Sequence, residues 1–160
     1  MELPFVLWIF FIILTFPLIN LMTVGLRLTF LYSAVHTACL RACRAQTFLV
    51  PVDNKPSSVM LANQGVQDVT NKFTGIHVSQ ITTQILTTNI DSSSQSRTVS
   101  PLTKPADVSK NTYQIEVVLA GSADPFLPMP LPVQIAGISA PLQVKLSDRQ
   151  YCESPDGLNI

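Results

Sequence analysis

Residues 3–26 read LPFVLWIFFIILTFPLINLMTVGL, a run of 24 residues that contains no Asp, Glu, Lys or Arg. As an α-helix rising 1.5 Å per residue, this run would extend about 36 Å, which exceeds the roughly 30 Å hydrocarbon core of a bilayer. Its polar interruptions are mild (Thr15, Asn20 and Thr23), and Pro17 is of a kind that membrane helices tolerate. The run predicts a single transmembrane helix.

A cleaved signal peptide is the main alternative for this segment. Such a peptide has a basic start, an apolar core of about 7–15 residues and a cleavage site of small residues. Here only Met1 and Glu2 precede the run, the run is longer, and the small residues from Ala34 to Ala45 come late. These features favour a retained anchor.

Charged residues are scarce and balanced over the whole chain. They make up 12% of 160 residues, about half the usual share of roughly 25%, and ten basic residues cancel ten acidic ones. This composition excludes the usual nucleic-acid binder with clustered Lys and Arg, and also a charge-rich disordered chain. We expect membrane lipid as one partner, and neither nucleic acid nor a small-molecule substrate.

The helix is predicted to continue past the membrane as a stalk over residues 27–50. No Gly or Pro occurs from Arg27 to Phe48, and small residues recur at helical spacing. Such a stripe allows close helix packing, either on the protein's own domain or on a partner helix. The candidate packing residues are Ala34, Ala38, Ala42 and Ala45.

A second helix is predicted over residues 57–74, because Pro56 and the serines after it are a start signal and Gly75 is a stop signal. A β-rich head domain over 75–150 is predicted to follow it. Alternating apolar residues predict a strand from Ile76 with a bulge near Gln80. They also predict strands at 113–119 and 142–146.

The connections between these strands differ in composition. Residues 91–112 are rich in Ser and Thr and predict a flexible surface loop, and residues 124–133 form a Pro-rich loop that excludes a central strand. Residues 151–160 predict an irregular tail. The sequence therefore predicts an α+β fold, in which a long N-terminal transmembrane and stalk helix and a second helix accompany a small antiparallel sheet of about three strands.

Three cysteines and one histidine are the candidate metal or redox residues. His36, Cys39 and Cys43 share one helical face, but a nearby fourth ligand and a Cys-x-x-Cys pair are both missing from the sequence. We therefore expect no metal or cofactor, and apolar packing for the two helical cysteines. Cys152 could pair with either of them in an oxidising compartment, and the odd count leaves one thiol free or bonded between chains.

Catalytic motifs are not evident in the sequence. It contains no G-x-S-x-G elbow, phosphate loop or dinucleotide fingerprint, and only two histidines, His36 and His77. A nucleophile requires a base and an orienting group, so we expect no catalytic residues and no enzyme activity.

The order of these features resembles the TadE-like minor pseudopilins of the bacterial tight-adherence pilus system. The resemblance covers most of the chain, and its motifs are more specific in the N-terminal half. It depends on residues 14–19 (LTFPLI), 25–28 (GLRL) and 38–45 (ACLRACRA), and then on 113–119, 125–132 and 142–153. Family members usually carry a basic leader and a Glu in the mature helix, and Phe11 stands about where that Glu is expected. No processing site is carried over.

The resemblance implies a bitopic protein of the bacterial cytoplasmic membrane that helps to assemble or prime a pilus. Its implied partners are other pilin-like proteins or pilus-assembly platform proteins. The alternative is a single-span accessory subunit or binding module of another envelope complex. The arginines after the span (Arg27, Arg41 and Arg44) favour a cytoplasmic head, but only Arg27 lies near the membrane. We therefore expect the extracytoplasmic head that the resemblance implies.

Overall fold

One long helix extends from the N-terminus into the centre of an α+β head. The structure is a computed structural model that describes residues 3–127 and 134–160. The elements are α1 (Leu3–Ala42), α2 (Ser58–Thr70), β1 (Ile76–Asn89), β2 (Gln95–Thr98), β3 (Asn111–Ala123), β4 (Leu142–Tyr151) and a 3-10 helix (Pro155–Asn159). The predicted fold class is confirmed.

The two halves of α1 have different surroundings. Most apolar side chains before Val24 are exposed, whereas Leu31 and Val35 are fully buried between α2 and the sheet. The predicted stalk over residues 27–50 is helical as far as Ala42, and this part of the helix is the central element of the head. It becomes buried because the apolar faces of α2 and of the sheet both need a cover.

The helix also ends earlier than the sequence predicts, at Ala42 instead of near Phe48. Its end depends on contacts with distant segments. The Ser58 hydroxyl donates to the Ala42 carbonyl (2.9 Å), and the Glu153 amide donates to the Cys43 carbonyl (2.9 Å). Such partners satisfy the carbonyl groups at a helix end. The chain then turns inward and buries Phe48 completely.

The second helix is shorter than the predicted range 57–74. It begins after Ser57, whose hydroxyl accepts a hydrogen bond from the Met60 amide and acts as the N-cap. It ends at Thr70, and Phe73 lies beyond it with its ring stacked on Phe30 of α1 at a centroid distance of 3.8 Å. The predicted start of this helix is therefore accurate to one residue, whereas its predicted end at residue 74 is four residues too late.

The sheet has four antiparallel strands in the order β2-β1-β3-β4. The alternation predicted for β3 is confirmed, because Tyr113, Ile115, Val117 and Leu119 are all buried on the face towards the helices. The irregularity of β1 lies between Val78 and Gln80, close to the predicted bulge. The last strand continues to Tyr151, five residues beyond the predicted range.

The fourth strand, β2, lies within residues 91–112, which the sequence predicts to be a flexible loop. That prediction is wrong for residues 95–98. The Asn89 side chain accepts hydrogen bonds from the amides of Asp91 and Ser92 and so shapes the turn that leads into β2. Arg97 then pairs with the Glu116 carboxylate on β3 (2.9 Å). A short polar edge strand of this kind has little apolar periodicity to predict it.

The C-terminal segment is more ordered than the predicted irregular tail at 151–160. It ends in the 3-10 helix, and Leu158 is buried in the core. The Phe48 amide donates to the carbonyls of Gly157 and Ile160 (both 3.2 Å). This tail therefore closes the core beside the end of α1. Of the predicted Pro-rich loop at 124–133, residues 128–133 lie outside the described part.

Candidate functional site

The N-terminal half of α1 is the main candidate for function, because it projects from the head as an apolar rod. Of its most apolar window of 18 residues, only 6% is buried. The core helix of a soluble domain would be largely covered. α1 is the one helix in the described residues that is long and apolar enough to cross a membrane. Its most exposed apolar side chains include Leu3, Phe5, Trp8, Phe11, Ile13 and Met22.

The alanine stripe lies inside the head and not on a free surface. Ala34, Ala38 and Ala42 are completely buried, and Ala45 is buried just past the end of α1. The structure therefore places the stripe against the protein's own domain, which was one of the two alternatives. A partner helix has no access to these side chains.

Gly65 of α2 packs directly against Ala38 of the stripe. A Cβ atom added to Gly65 would lie 2.7 Å from the Ala38 Cα and 3.2 Å from the Ala38 Cβ. Contacts this short would force one of the helices to move, so the two helix backbones touch where neither has a large side chain. The sequence did not single out Gly65 as a packing residue. The small residues Ala62 and Gly65, placed opposite the stripe, were the available signal.

Cys39 is buried in the middle of the core. Its Sγ donates to the backbone carbonyls of Ile115 (3.3 Å) and Asp148 (3.4 Å), which lie on β3 and β4. Burial, and then the nearby Asp148 carboxylate, raise the pKa of the Cys39 thiol to about 12. The thiol is therefore protonated at neutral pH and serves as a small apolar side chain with a weak donor.

Cys43 and Cys152 lie close together at the end of α1. The hydrogen bond from the Glu153 amide to the Cys43 carbonyl joins the two segments, and both cysteines contact the core. Burial is the largest cause that raises the pKa of each thiol. All three cysteines are free thiols. Of the two partners considered for Cys152 from the sequence, Cys43 is the one whose segment contacts the segment of Cys152.

Cys39 is expected to resist alkylation in the folded protein. A thiol of pKa about 12 has a thiolate fraction at pH 7 roughly 3,000-fold below that of an ordinary cysteine with a pKa of about 8.5. We expect N-ethylmaleimide to react at least about 100-fold more slowly with the folded chain than with the unfolded chain. The measurement uses Cys43→Ala/Cys152→Ala, in which Cys39 is the remaining thiol.

The control for this experiment is Cys39→Ala/Cys43→Ala, which retains the partly exposed Cys152. The Cys39 rate should rise only as the pH approaches 12, because the thiol stays protonated below its raised pKa. Equal rates for folded and unfolded chains at pH 7 would contradict the buried position of Cys39.

Each histidine forms a pair with an aspartate. His36 Nδ1 lies 2.7 Å from Asp148 Oδ2, and His77 Nε2 lies 2.9 Å from Asp124 Oδ2. Two of the three residues that share one face of α1 therefore have other partners. His36 contacts a carboxylate on β4, and Cys39 contacts backbone carbonyls. Within residues 3–127 and 134–160, no group of three or more His, Cys, Asp or Glu side chains could hold a metal ion.

Asn20 is a buried residue that the sequence interpretation missed. It appeared there only as a mild interruption of the apolar run, yet it is completely buried. Its Nδ2 donates to the carbonyls of Leu127 and Ile138 (both 2.8 Å), and its Oδ1 accepts from the Leu127 amide (2.9 Å). A lone amide in an otherwise apolar run was the available signal, since buried polar groups need partners.

Comparisons with protein-family models, curated proteins and solved structures find no match for this chain. A functional proposal therefore depends on the arrangement described above. An exposed apolar half of α1 continues directly into a buried half, which lies between α2 on one side and strands β3 and β4 of the sheet on the other.

Proposed function

We propose that the protein is a membrane-anchored, pilin-like protein that acts in the assembly or priming of a tight-adherence-type pilus or a related secretion apparatus. In this proposal it resides in the bacterial cytoplasmic membrane with its head on the extracytoplasmic side. The observation that carries the proposal is α1, a single helix of 40 residues that is bare and apolar in its first half and buried in the head in its second half.

The mechanical consequence of this arrangement supports the proposal. A helix of 40 residues is about 60 Å long, and no loop separates its anchor from its head. Leu31, Val35 and Ala38 hold the helix within the core, so a force that acts on the anchor is transmitted to the head without a flexible linker. A protein that is extracted from the membrane during assembly, or that primes such a process, benefits from this coupling.

The exposed half of α1 is the surface through which partners would pack. Since the alanine stripe is buried within the chain, lipid and other pilin-like or platform proteins would contact residues such as Phe10, Ile13 and Leu14, which are exposed. Apolar side chains packed on a neighbouring membrane helix gain van der Waals contacts. A single-span subunit of another envelope complex would use the same face.

Deletion of the gene tests the proposal. We expect cells without the protein to lose surface pili, counted by electron microscopy, and to lose adherence. Wild-type protein should restore both, and so should a head-surface variant, Val99→Asp/Val108→Asp, because both valines are about 60% exposed. Normal piliation of the deletion strain, or co-purification of the protein with an unrelated transporter, would overturn the proposal.

A topology reporter tests the orientation separately. Alkaline phosphatase fused after Ile160 should be active, because the enzyme requires the oxidising extracytoplasmic side. A reporter that is active only in the cytoplasm should be inactive at the same position. The opposite result would place the head in the cytoplasm and would refute the pilin-like arrangement.

A further inference from the structure

Residues 124–127 and 135–138 lie beside the last part of the apolar run of α1, from Asn20 to Arg27. Asn20 binds the backbone of Leu127 and Ile138, as described above. One turn further along the helix, a Cβ atom added to Gly137 would lie 3.9 Å from Val24. The Arg27 guanidinium then donates to the carbonyls of Asp124 and Pro125. The described parts of this segment thus lie beside about two turns of α1.

Three exposed apolar side chains lie on the described parts of this segment. Phe126 is 59% exposed, Leu127 is 40% exposed and Ile135 is 46% exposed. In sequence, residues 125–144 contain no Asp, Glu, Lys, Arg or His. An uncharged stretch with exposed aromatic and aliphatic side chains is costly to keep in water.

Several polar backbone groups of Leu127 and of residues 135–140 have hydrogen-bond partners within the protein. Asn20 satisfies the amide and carbonyl of Leu127 and the carbonyl of Ile138. In the turn that follows, the Ile135 carbonyl accepts from the amides of Ile138, Ser139 and Ala140, and the Gly137 amide donates to the Ala140 carbonyl. Irregular backbone at membrane depth is tolerated only when its polar groups have partners within the protein.

The position along the helix places this segment at the edge of the bilayer. Leu3 and Asn20 are separated by 17 residues of α1, or about 26 Å. The uncharged run ends at Leu26, so Asn20 lies within its last two turns, on the side of the bilayer nearest the head. Arg27 lies about 10 Å further on, at a level suited to lipid phosphates.

We propose that Phe126, Leu127 and Ile135 form a second membrane contact, which rests in the interfacial region of the bilayer beside the anchor helix. The occupant of this apolar face is lipid, because the face is continuous with the exposed surface of α1 and carries no charge. Two contacts of one rigid body with the same bilayer fix the tilt of the head, which one helix alone cannot do. The inference requires an anchored helix and does not require the pilus function.

Tryptophan fluorescence in vesicles tests the contact. The native Trp8 is the only tryptophan, so it reports insertion of the anchor in the wild-type protein. The probes are Phe126→Trp and Ile135→Trp, each combined with Trp8→Phe, and the control is Val108→Trp in the same background, since Val108 is exposed on the head. Each protein is reconstituted into phosphatidylcholine vesicles with and without lipids brominated in the upper acyl chain.

We expect the brominated lipid to quench both loop probes, to an extent comparable with Trp8, and to leave the Val108→Trp emission unchanged. If Trp8 is quenched while both loop probes behave like the control, the second contact is refuted although the anchor remains established. If Trp8 itself is not quenched, the anchor and the second contact both fail. Two loop probes are used so that local misfolding of one variant does not decide the result.

Discussion

Replacement of both Phe10 and Ile13 with Asp is expected to release the protein from membranes. The two side chains lie three residues apart on α1 and are 62% and 66% exposed, so they would face lipid. A carboxylate near the centre of a membrane helix costs about 2.5–3.5 kcal/mol, and two cost about 5–7 kcal/mol. Since about 1.4 kcal/mol is a factor of ten, the partition into the membrane should fall more than roughly 1,000-fold.

Alkaline carbonate extraction measures this effect, because it leaves integral proteins in the membrane pellet. Wild-type protein should stay in the pellet and Phe10→Asp/Ile13→Asp should move to the supernatant or fail to accumulate. The matched control is Val99→Asp/Val108→Asp, in which the same charges lie on the exposed surface of the head. Retention of the α1 variant in the pellet would show that these residues do not contact lipid.

Leu in place of Gly65 is expected to separate α2 from α1. The backbone of Ala38 lies where the new Cβ would be, at 2.7 Å from its Cα, so the added side chain meets a rigid element. Overpacking of this kind costs typically 1–3 kcal/mol and more where backbone is involved, and we expect about 3 kcal/mol or more. For a domain of this size, such a loss lowers Tm by roughly 6–12 °C.

Gly25→Leu is the control for this substitution. It also lies in a helix, and a Cβ added there has no neighbour within 4 Å among the described residues. Leu favours helix over Gly by up to about 1 kcal/mol, so both variants gain the same intrinsic term and differ only in the contact. Gly65→Ala should give an intermediate loss. Thermal unfolding in detergent that shows equal Tm for Gly65→Leu and Gly25→Leu would contradict the close helix contact.

The features that the sequence predicted well share a local cause. The span at 3–26 follows from 24 consecutive uncharged residues, and β3 follows from the alternation of Tyr113, Ile115, Val117 and Leu119. In both cases the pattern within one segment determines which side chains avoid water. The α+β class then follows from the order of such segments.

The features that were predicted wrongly have a different cause. They depend on contacts with residues that are far away in sequence. The end of α1 at Ala42 requires the Ser58 hydroxyl and the docking of residue 153 beside Cys43. The strand β2 requires a place next to β1 and the carboxylate of Glu116. Neither contact can be predicted from the sequence pattern of the segment itself.

The amino-acid sequence by itself determined that residues 3–26 form an apolar helix and that a small α+β head follows them, because hydrophobic periodicity is a property of neighbouring residues. Only the tertiary structure decided what covers each face. It buried the alanine stripe inside the head, with Ala38 against Gly65 of α2, and it joined Asn20 to the backbone of Leu127. Small side chains and a lone amide are compatible with many neighbours, and the close approach of distant segments selects one of them.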